Sequence, residues 1–556
     1  FIEGGRSRTG RLLPAKPGML SMTVRAYLRE PVRPVVFVPV YFGYERLFEG
    51  RSYLSELSGR PKEKETLLGM VKAIRQLRRE FGRVHVNFGA PIFLDEVLGQ
   101  ARPGWREEPL DEDEKPAWTG PVVEMLGEEI LARINSAAAA SPVNLLALAL
   151  LATPRQAMVE QPLVRILELF AALLRKAPYD PGVTVTELGG AEMIAYGERL
   201  GLLERRPHRL GDVITLAPKE ALLATYFRNN AAHLVALPSI VACCFLDKSV
   251  LAVERVHGLA RMVYPYLGGE LHLRWRPEEV EAEMDRVIET LVELGLLRRD
   301  DAGGQACLRR PAPHTPEAIQ LWLLAQCSVQ TLERFYMTAA LLAKHGSGTL
   351  RPGQLEDMCH LMAQRMSMLF QFSAPEFFDK TLFRGFIGRL RKNGVLRTDE
   401  TGLLVFDQGL VQAMEDARLF LGDRLRNDVL QAMNLYRAGG RGAGASHGRA
   451  QGMRRLALLF AVLAIPALGA RAAAPIVVLD GAFDEWPSHA AALADHYHLY
   501  FRLELPAVDG LQASALETRL LLDLDDDATS GAFLRPADAS APLGDDLALL
   551  FAPAFT

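Results

Sequence analysis

Residues 1–10 are FIEGGRSRTG, in which a glycine pair precedes two arginines that are separated by one serine. Glycine lacks a β-carbon, so Gly4 and Gly5 allow a sharp turn and a close approach between backbone and ligand. The guanidinium groups of Arg6 and Arg8 can direct several N–H donors towards one small anion, and they suit phosphate or carboxylate oxygens. A short Arg-x-Arg loop is more often an ordinary solvated turn. The pattern alone therefore leaves both interpretations open.

Three later segments contribute, together with this opening, to one family resemblance. They are LPAKPGML at 13–20, VVFVPVYFGYE at 35–45 and YFRNNAAH at 226–233. FIEGGRSRTG resembles the third motif block of the glycerol-phosphate acyltransferases, and 35–45 resembles the fourth. The order of all four segments is similar to that in the large bacterial membrane-associated sn-glycerol-3-phosphate acyltransferases.

The resemblance implies a substrate, an acyl donor and site residues. The residues that would hold glycerol-3-phosphate, with the arginines facing its phosphate, are Glu3, Gly4, Gly5, Arg6, Ser7 and Arg8. The block associated with the acyl donor, acyl-CoA or acyl carrier protein, would contain Val38, Pro39, Val40 and Tyr41. The resemblance implies no cofactor, and it adds a membrane surface to the expected partners.

The family's general base belongs to an earlier block, His-x-x-x-x-Asp, whose histidine deprotonates the glycerol hydroxyl. None of the 12 histidines has an aspartate five positions later; His208 has Asp212 four positions on, and His489 has Asp495 six positions on. We therefore expect the catalytic block upstream of Phe1 and no catalytic residue in this chain.

Asn229, Asn230 and His233 also suggest a site, because Asn229 and His233 would share one helix face. Hydrogen bonding within a helical core is the competing interpretation, and the sequence does not decide between the two.

Composition limits the other function classes. The 556 residues predict several domains, and a net charge of −4 argues against a nucleic-acid partner bound by bulk electrostatics. The five cysteines lack metal-ligand spacing, so buried thiols are expected. Up to residue 439, no apolar run reaches the roughly 18 residues of a spanning helix.

The predicted fold begins with an α/β remnant of an acyltransferase domain at 1–100. Its expected elements are helices at 19–29 and 62–81, a buried strand at 35–42 and a strand at 83–88. A polar surface loop is expected at 101–120. A mainly α-helical region then follows at 121–437, with buried core helices at 141–152 and 232–246.

A repeat runs through the helical region. LGLLER at 200–205, LGLLRR at 294–299 and NGVLRT at 393–398 each follow an amphipathic helix and precede a short β-prone stretch. The glycine is a natural helix-ending residue, and helix, stop and hairpin outline a winged helix. Acidic residues in the expected wings favour a packing module over a DNA reader.

The composition changes near residue 440. Residues 438–452 are expected to form a flexible linker, and 453–474 have the positive start, apolar run and small-residue end of a secretory signal peptide. Residues 475–556 resemble a β-rich, sandwich-like module similar to family 9 carbohydrate-binding domains. Its alternating Asp523, Asp525 and Asp527 are a weak calcium candidate, and a solvated acidic turn is at least as good an interpretation.

These features lead to two expected locations. Residues 1–452 are expected on the cytoplasmic face of the inner membrane, and 475–556 would be exported if the internal signal is cleaved. Two alternatives stay open: a non-catalytic, winged-helix-like interaction protein, and an exported carbohydrate-binding module as the functional unit.

Overall fold

The computed structural model describes most of the chain up to residue 410 and short pieces beyond it. The described residues are 2–5, 7, 9–47, 82–107, 116–153, 155–217, 220–302, 304–370, 379–410, 412, 429, 492–494, 499–501, 518–522 and 547–551. The chain divides into two compact units, Phe1–Gly440 and Arg441–Thr556, and each is considered by itself.

Helices provide most of the described structure of the first unit, as predicted for the region after residue 120. They are α1 Pro17–Arg29, α2 Leu94–Ala101, α3 Thr119–Ser136, α4 Pro142–Leu151, α5 Glu160–Lys176, α6 Gly190–Arg199, α7 Ala221–Ala231, α8 Ala236–Cys243, α9 Val253–Leu271, α10 Val280–Glu293, α11 Pro316–His345, α12 Pro352–Phe370 and α13 Lys380–Lys392. A 3₁₀ turn, Ala232–Val235, joins α7 to α8.

The described strands are short and form small sheets. In the first unit they are β1 Val36–Phe37, β2 Val40–Tyr44, β3 Val84–Phe88, β4 Ile92–Phe93, β5 Ala139–Ala140, β6 Ala157–Val159, β7 Thr184–Val185, β8 Leu203–Arg206, β9 Val213–Leu216, β10 Val250–Ala252, β11 Arg298–Ala302, β12 Gln305–Arg309, β13 Arg397–Thr398 and β14 Leu404–Val405. The pairs β1–β4, β2–β3 and β13–β14 are antiparallel, and β5–β7 is parallel. The two three-stranded sheets have the orders β6-β9-β8 and β10-β12-β11.

The described residues among the first 100 mix helices α1 and α2 with the two-stranded sheets β1–β4 and β2–β3. The helix predicted at 19–29 is confirmed as α1, which starts at Pro17, where a missing N–H costs nothing. Leu20 and Val24 on α1 pack with Leu126 on α3 in a small separate core. The strand predicted at 83–88 is confirmed as β3, whereas the helix predicted at 62–81 lies outside the described residues.

The expectation of one buried strand at 35–42 is wrong. Val38 and Pro39 separate β1 from β2, and the two strands pair with different partners. Proline provides no N–H for a sheet ladder, so the strand ends there. One face of the β2–β3 pair carries apolar side chains that are half exposed, including Phe42 opposite Val86. An apolar run therefore indicated the strand but not its burial.

The two predicted core helices are confirmed. Every residue of α4 from Pro142 to Leu150 is buried, and α4 starts with a capping box in which Ser141 and Asn144 exchange hydrogen bonds. The second segment divides at Val235, where the 3₁₀ turn gives way to the buried helix α8. Both helices lie in the larger of the two hydrophobic cores that the described residues form.

The three predicted glycine stops are all present. Gly201, Gly295 and Gly394 have φ values of 70°, 73° and 74°, which disfavour side chains with a β-carbon. In each case the residue after the glycine donates its N–H to the carbonyl five positions earlier: Leu202 to Gly197, Leu296 to Leu291 and Val395 to Leu390. This is the Schellman arrangement. The hairpins β8–β9, β11–β12 and β13–β14 follow directly.

The region predicted as a surface loop, 101–120, is described in part. Residues 108–115 lie outside the described residues, and α3 already begins at Thr119. Trp105 departs from the expectation, because its side chain is buried against Tyr27 with ring centroids 5.7 Å apart.

In the second unit the described residues form two antiparallel strand pairs. They pair β15 Ala492–Ala494 with β16 Leu499–Phe501, and β17 Thr518–Leu522 with β18 Leu547–Phe551. The predicted linker at 438–452 and the signal-like segment at 453–474 lie outside the described residues. Within the described parts of the chain, no helix combines the length and the apolar content that crossing a membrane requires.

Candidate functional site

The opening loop is closed by two hydrogen bonds near its ends. The backbone N–H of Lys16 donates to the carbonyl of Ile2 at 2.8 Å, and the N–H of Leu13 donates to Oε2 of Glu3 at 2.7 Å. Burial raises the pKa of Glu3, although the hydrogen bond from Leu13 opposes the rise. The contact that the structure shows for Glu3 is therefore loop closure. Gly4 has a φ of 65°, and a β-carbon there would lie 2.7 Å from Cγ of Lys16.

The other predicted phosphate-binding residues are described only in part. Arg6 and Arg8 lie outside the described residues, and Gly5 is exposed. The hydroxyl oxygen of Ser7 is buried and has no hydrogen-bond partner among the described residues. A buried hydroxyl without a partner is costly. It is therefore a suitable group for a polar ligand at this loop.

The far end of the loop docks on α7. Nδ2 of Asn229 donates to the carbonyl of Thr9 at 2.8 Å, and Gly10 passes so close that a β-carbon would lie 2.2 Å from the carbonyl oxygen of Tyr226. Asn229 is buried, whereas Asn230 is half-buried. The sequence suggested a catalytic site or a hydrogen bond within the helical core for Asn229, and neither interpretation included a contact with the motif loop. Asn229 fixes the backbone of the motif loop from the helical region.

We expect Gly10→Ala to destabilise the protein. The φ of 83° and the contact with Tyr226 both oppose a β-carbon, so the free energy of unfolding should fall by about 1–3 kcal/mol. Urea unfolding measures the change. Gly5→Ala is the matched control, since nothing lies within 4 Å of a β-carbon at Gly5. Equal effects of the two substitutions would contradict the close docking of the loop.

A buried ion-pair cluster lies immediately after the loop. Arg11 forms an ion pair with Glu270 on α9, and Nη2 of Arg334 on α11 lies 2.7 Å from the same carboxylate. Nη2 of Arg389 on α13 approaches the other oxygen at 3.3 Å. Burial alone would raise the pKa of Glu270, but the arginines outweigh it and lower the pKa. This cluster could not be recognised in the sequence; its one local signal is Arg334, a charge in the middle of the mostly apolar helix α11.

His233 is poorly suited to act as a general base. Its ring is buried, Nε2 lies 3.2 Å from the carbonyl oxygen of Asn135, and the ring of Tyr179 meets it edge-on at 5.1 Å. Burial lowers the pKa of His233 to about 4. A base that works near neutral pH needs a pKa closer to that pH. The core interpretation of this histidine therefore fits the structure better.

A second histidine lies beside a carboxylate. Nε2 of His85 on β3 lies 3.2 Å from Oε1 of Glu45, and Tyr196 and the backbone N–H of Arg83 donate to the same carboxylate. Burial would raise the pKa of Glu45, but the bonds from His85, Tyr196 and Arg83 lower it overall. The ring of His85 is partly exposed. Glu45 therefore orients the imidazole of His85. Of the two residues, only Glu45 belongs to the sequence segment that resembles the fourth block.

The predicted acyl-donor block lies at the break between β1 and β2. Val38 is exposed, and the carbonyl of the buried Pro39 accepts a hydrogen bond from the N–H of Gly89 at 2.8 Å. Val40 starts β2, and Tyr41 is buried, which raises its pKa strongly. The block thus presents one exposed apolar side chain at the break between the two strands. Its role in acyl-donor binding stays a prediction.

Metal binding finds little support among the described residues. The weak calcium candidates Asp523, Asp525 and Asp527 lie outside them. One group, Glu254, His257 and Glu281, has potential ligand atoms within 4.8 Å of one another. Arg261 pairs with both carboxylates, at 2.7 Å and 3.4 Å, and so offsets one of their two negative charges without an ion.

The cysteines match the expectation of buried thiols. All five are free; four are buried and Cys327 is half-buried. Burial raises the pKa of Cys244, Cys327 and Cys359 to about 12. These thiols are therefore protonated and unreactive at neutral pH.

Comparison with known proteins identifies the family of this chain. The family model described as the glycerol-3-phosphate acyltransferase C-terminal region matches residues 53–399. A glycerol-3-phosphate acyltransferase from Xanthomonas axonopodis pv. citri is 46% identical over 432 residues, which cover 77% of this chain and 49% of the relative. One from Pseudomonas aeruginosa PAO1 is 45% identical over 417 residues, covering 75% and 50%. The chain thus spans about half the length of these curated relatives. On the family match, which includes more than half of its residues, the chain belongs to the glycerol-3-phosphate acyltransferase C-terminal region family.

Proposed function

We propose that residues 1–440 act as the C-terminal part of an enzyme that acylates the sn-1 hydroxyl of sn-glycerol-3-phosphate. The acyl donor would be acyl-CoA or acyl carrier protein. The observation that carries the proposal is the Gly-Gly-Arg-Ser-Arg motif, after which Thr9 and Arg11 are held by Asn229 and Glu270 of the family-matched helical region. The relatives bear the name of this activity. The proposed product is a lysophosphatidic acid, as expected of the first step of phospholipid synthesis.

The loop residues would bind the phosphate of the substrate. The guanidinium groups of Arg6 and Arg8 would pair with the phosphate oxygens, and the hydroxyl of Ser7 would donate to one of them. Gly4 and Gly5 would allow the backbone to approach the ligand. The exposed side chain of Val38 would contact the acyl donor.

The chemistry needs a proton acceptor. A base removes the proton of the glycerol hydroxyl, the oxygen attacks the thioester carbonyl, and the thiol leaves as the ester forms. In this family the base belongs to the His-x-x-x-x-Asp block, which the 556 residues do not contain. The proposed share of this chain is therefore substrate binding and not proton transfer.

A chimera tests this assignment. Residues 1–440 are joined to the N-terminal half of the Xanthomonas relative, which we expect to contribute the histidine block. Arg6→Ala or Arg8→Ala should raise KM for glycerol-3-phosphate by about ten- to a hundredfold, because each removes charge-assisted hydrogen bonds of roughly 1.5–3 kcal/mol. Initial rates at varied concentrations of each substrate measure the effect.

The controls separate phosphate binding from other causes. Arg209→Ala removes an exposed arginine of the β8–β9 hairpin and should leave both KM values unchanged. Lysine at position 6 or 8 should rescue only in part, since it lacks the planar fork. An increase in KM for acyl-CoA alone would show that the arginines do not hold the phosphate.

The three helix–hairpin units support a packing role. We infer that they are winged-helix-like modules, because the first two hairpins gain a third strand, β6 or β10. Two of the hairpin arginines are paired with carboxylates: Arg205 pairs with Glu160, Glu198 and Asp212, and Arg309 pairs with Asp300. Phosphate contacts in nucleic acid binding need unpaired positive charge. We therefore propose no nucleic-acid partner.

The second unit has a separate proposal. We infer a secretory signal at 453–474, with residues 475–556 as an exported, sandwich-like module and residues 1–452 at the cytoplasmic face of the inner membrane. N-terminal sequencing of secreted material should find a start near Ala473 or Pro475. A single uncleaved species in the cytoplasm would contradict this.

A further inference from the structure

The cluster around Glu270 joins three helices to the motif loop. Glu270 lies in the last turn of α9, Arg334 in the middle of α11 and Arg389 near the end of α13. The side chains of Glu270 and Arg334 are 3% and 2% exposed, and that of Arg11 is 8% exposed. These residues are far apart in sequence, so their contacts exist only when the helical region has folded.

Arg334 determines how Glu270 can hold the loop. Its two terminal nitrogens lie 2.7 Å from Oε1 and 3.3 Å from Oε2 of Glu270, which is a forked contact with the carboxylate. Nη2 of Arg334 also donates to the hydroxyl of Thr331 at 3.2 Å. Arg334 therefore fixes the orientation of the Glu270 carboxylate independently of Arg11. Fixed geometry is what a residue that positions another group requires.

The loop has three anchors after Arg8, and all belong to the helical region. The carbonyl of Thr9 accepts from Asn229, Gly10 packs on the carbonyl of Tyr226, and the guanidinium of Arg11 pairs with Glu270. They fix three successive residues, Thr9 to Arg11, which follow directly on the Arg6-Ser7-Arg8 segment in the sequence.

We propose that Glu270 is a positioning residue: by pairing with Arg11 it anchors the chain directly after the motif loop to the helical region, and so supports the binding of glycerol-3-phosphate by that loop. The proposal rests on the function proposed above for that loop. It gives the helical region a part in substrate binding without contact between Glu270 and the substrate. Small displacements of binding groups lower affinity strongly, so the clamp should matter for glycerol-3-phosphate.

Trypsin tests the clamp in the 556-residue chain without relying on that function. In the native protein, Arg11 is buried and ion-paired, so cleavage after Arg11 requires release of the loop. Glu270→Gln should accelerate cleavage after Arg11 by at least about tenfold, because it removes the charge that the three arginines share. Mass spectrometry follows this cut and, as an internal standard, the cut after the exposed Arg209.

Matched variants distinguish a local effect from general loss of stability. Asp180→Asn removes a carboxylate from another long-range ion pair, with Arg274, and should leave cleavage after Arg11 unchanged. Glu270→Asp should restore part of the protection. Arg11→Lys keeps the trypsin site and the Arg334–Glu270 pair but loses the fork, so it should increase cleavage even if the Glu270 variants do not fold. Unchanged cleavage in folded Glu270→Gln, or equal acceleration at Arg209, would overturn the clamp.

Calorimetry of glycerol-3-phosphate and palmitoyl-CoA binding to the same chain completes the test. Glu270→Gln should weaken the affinity for glycerol-3-phosphate by about tenfold and leave the affinity for palmitoyl-CoA unchanged. A wild-type chain that binds no glycerol-3-phosphate would count against the proposed function of the loop, whereas the trypsin result would still decide the clamp. Glu270→Gln that selectively accelerates cleavage after Arg11 but leaves the glycerol-3-phosphate affinity unaltered would overturn the positioning role.

Discussion

The purified 556-residue chain is expected to acylate glycerol-3-phosphate about 10²–10⁴-fold more slowly than the chimera with the Xanthomonas N-terminal half, because general-base catalysis contributes a factor of that size. No histidine of the chain has the Asp partner at the family spacing. Among the described histidines, His233 is buried and its pKa is lowered to about 4. Radiolabelled acyl-CoA, with lipid extraction and thin-layer chromatography, measures the product.

The comparison needs a control for folding, and far-UV circular dichroism of both proteins provides it. Turnover by the chain at a rate near that of the chimera would refute the expectation. His85 would then be the first candidate for the base, because Glu45 orients its partly exposed ring at 3.2 Å. His85→Ala should abolish such activity, whereas His208→Ala, which changes an exposed histidine, should not.

Local structure was predictable where short-range physics decides it. The glycine stops after α6, α10 and α13 follow from the need for a left-handed residue at a helix end. The mostly apolar stretch at 141–152 favoured a buried helix, since it is too short to span a membrane. In both cases a few neighbouring residues contain the whole signal.

Burial of the 35–42 strand was not predictable in the same way. Its apolar composition indicated a sheet position, but a strand is buried only where another layer covers it. Phe42 and Val86 face outward together on β2–β3, and no local pattern states what lies opposite them. Composition therefore gives the element and leaves its environment to tertiary structure.

The site was predictable at its loop and not at its supports. The residue types of FIEGGRSRTG suit a phosphate, and its resemblance to the acyltransferase motif favours that interpretation over a solvated turn. Glu270 and Arg334 are separated by 64 positions, and Arg11 is 259 positions from Glu270, so their meeting depends on the packing of three helices. A charged residue inside an apolar helix shows that a partner exists, because unpaired buried charge is costly. It does not show which partner.

The stability of the first unit should depend on pH through His233. Its pKa is about 4 in the folded protein, compared with about 6.5 for an exposed histidine. Above about pH 6.5 the ring is neutral in both the folded and the unfolded state, so its titration does not lower the free energy of unfolding. As the pH falls from about 6.5 to about 4, the unfolded chain binds the proton and the folded chain does not. The free energy of unfolding should then fall by about 3 kcal/mol in total.

The His233→Asn variant isolates this contribution, because it removes the titrating ring and keeps a donor for the carbonyl of Asn135. Burial also lowers the pKa of His345 and His360, so the wild type has other groups that titrate in this window. These groups are common to both proteins and cancel in the difference. Urea unfolding at several pH values should show stability that rises between pH 4 and 6.5 more steeply for the wild type than for the variant. Parallel curves would mean that His233 accepts a proton in the folded state, and the ring would then have to be accessible to water, contrary to its burial between Asn135 and Tyr179.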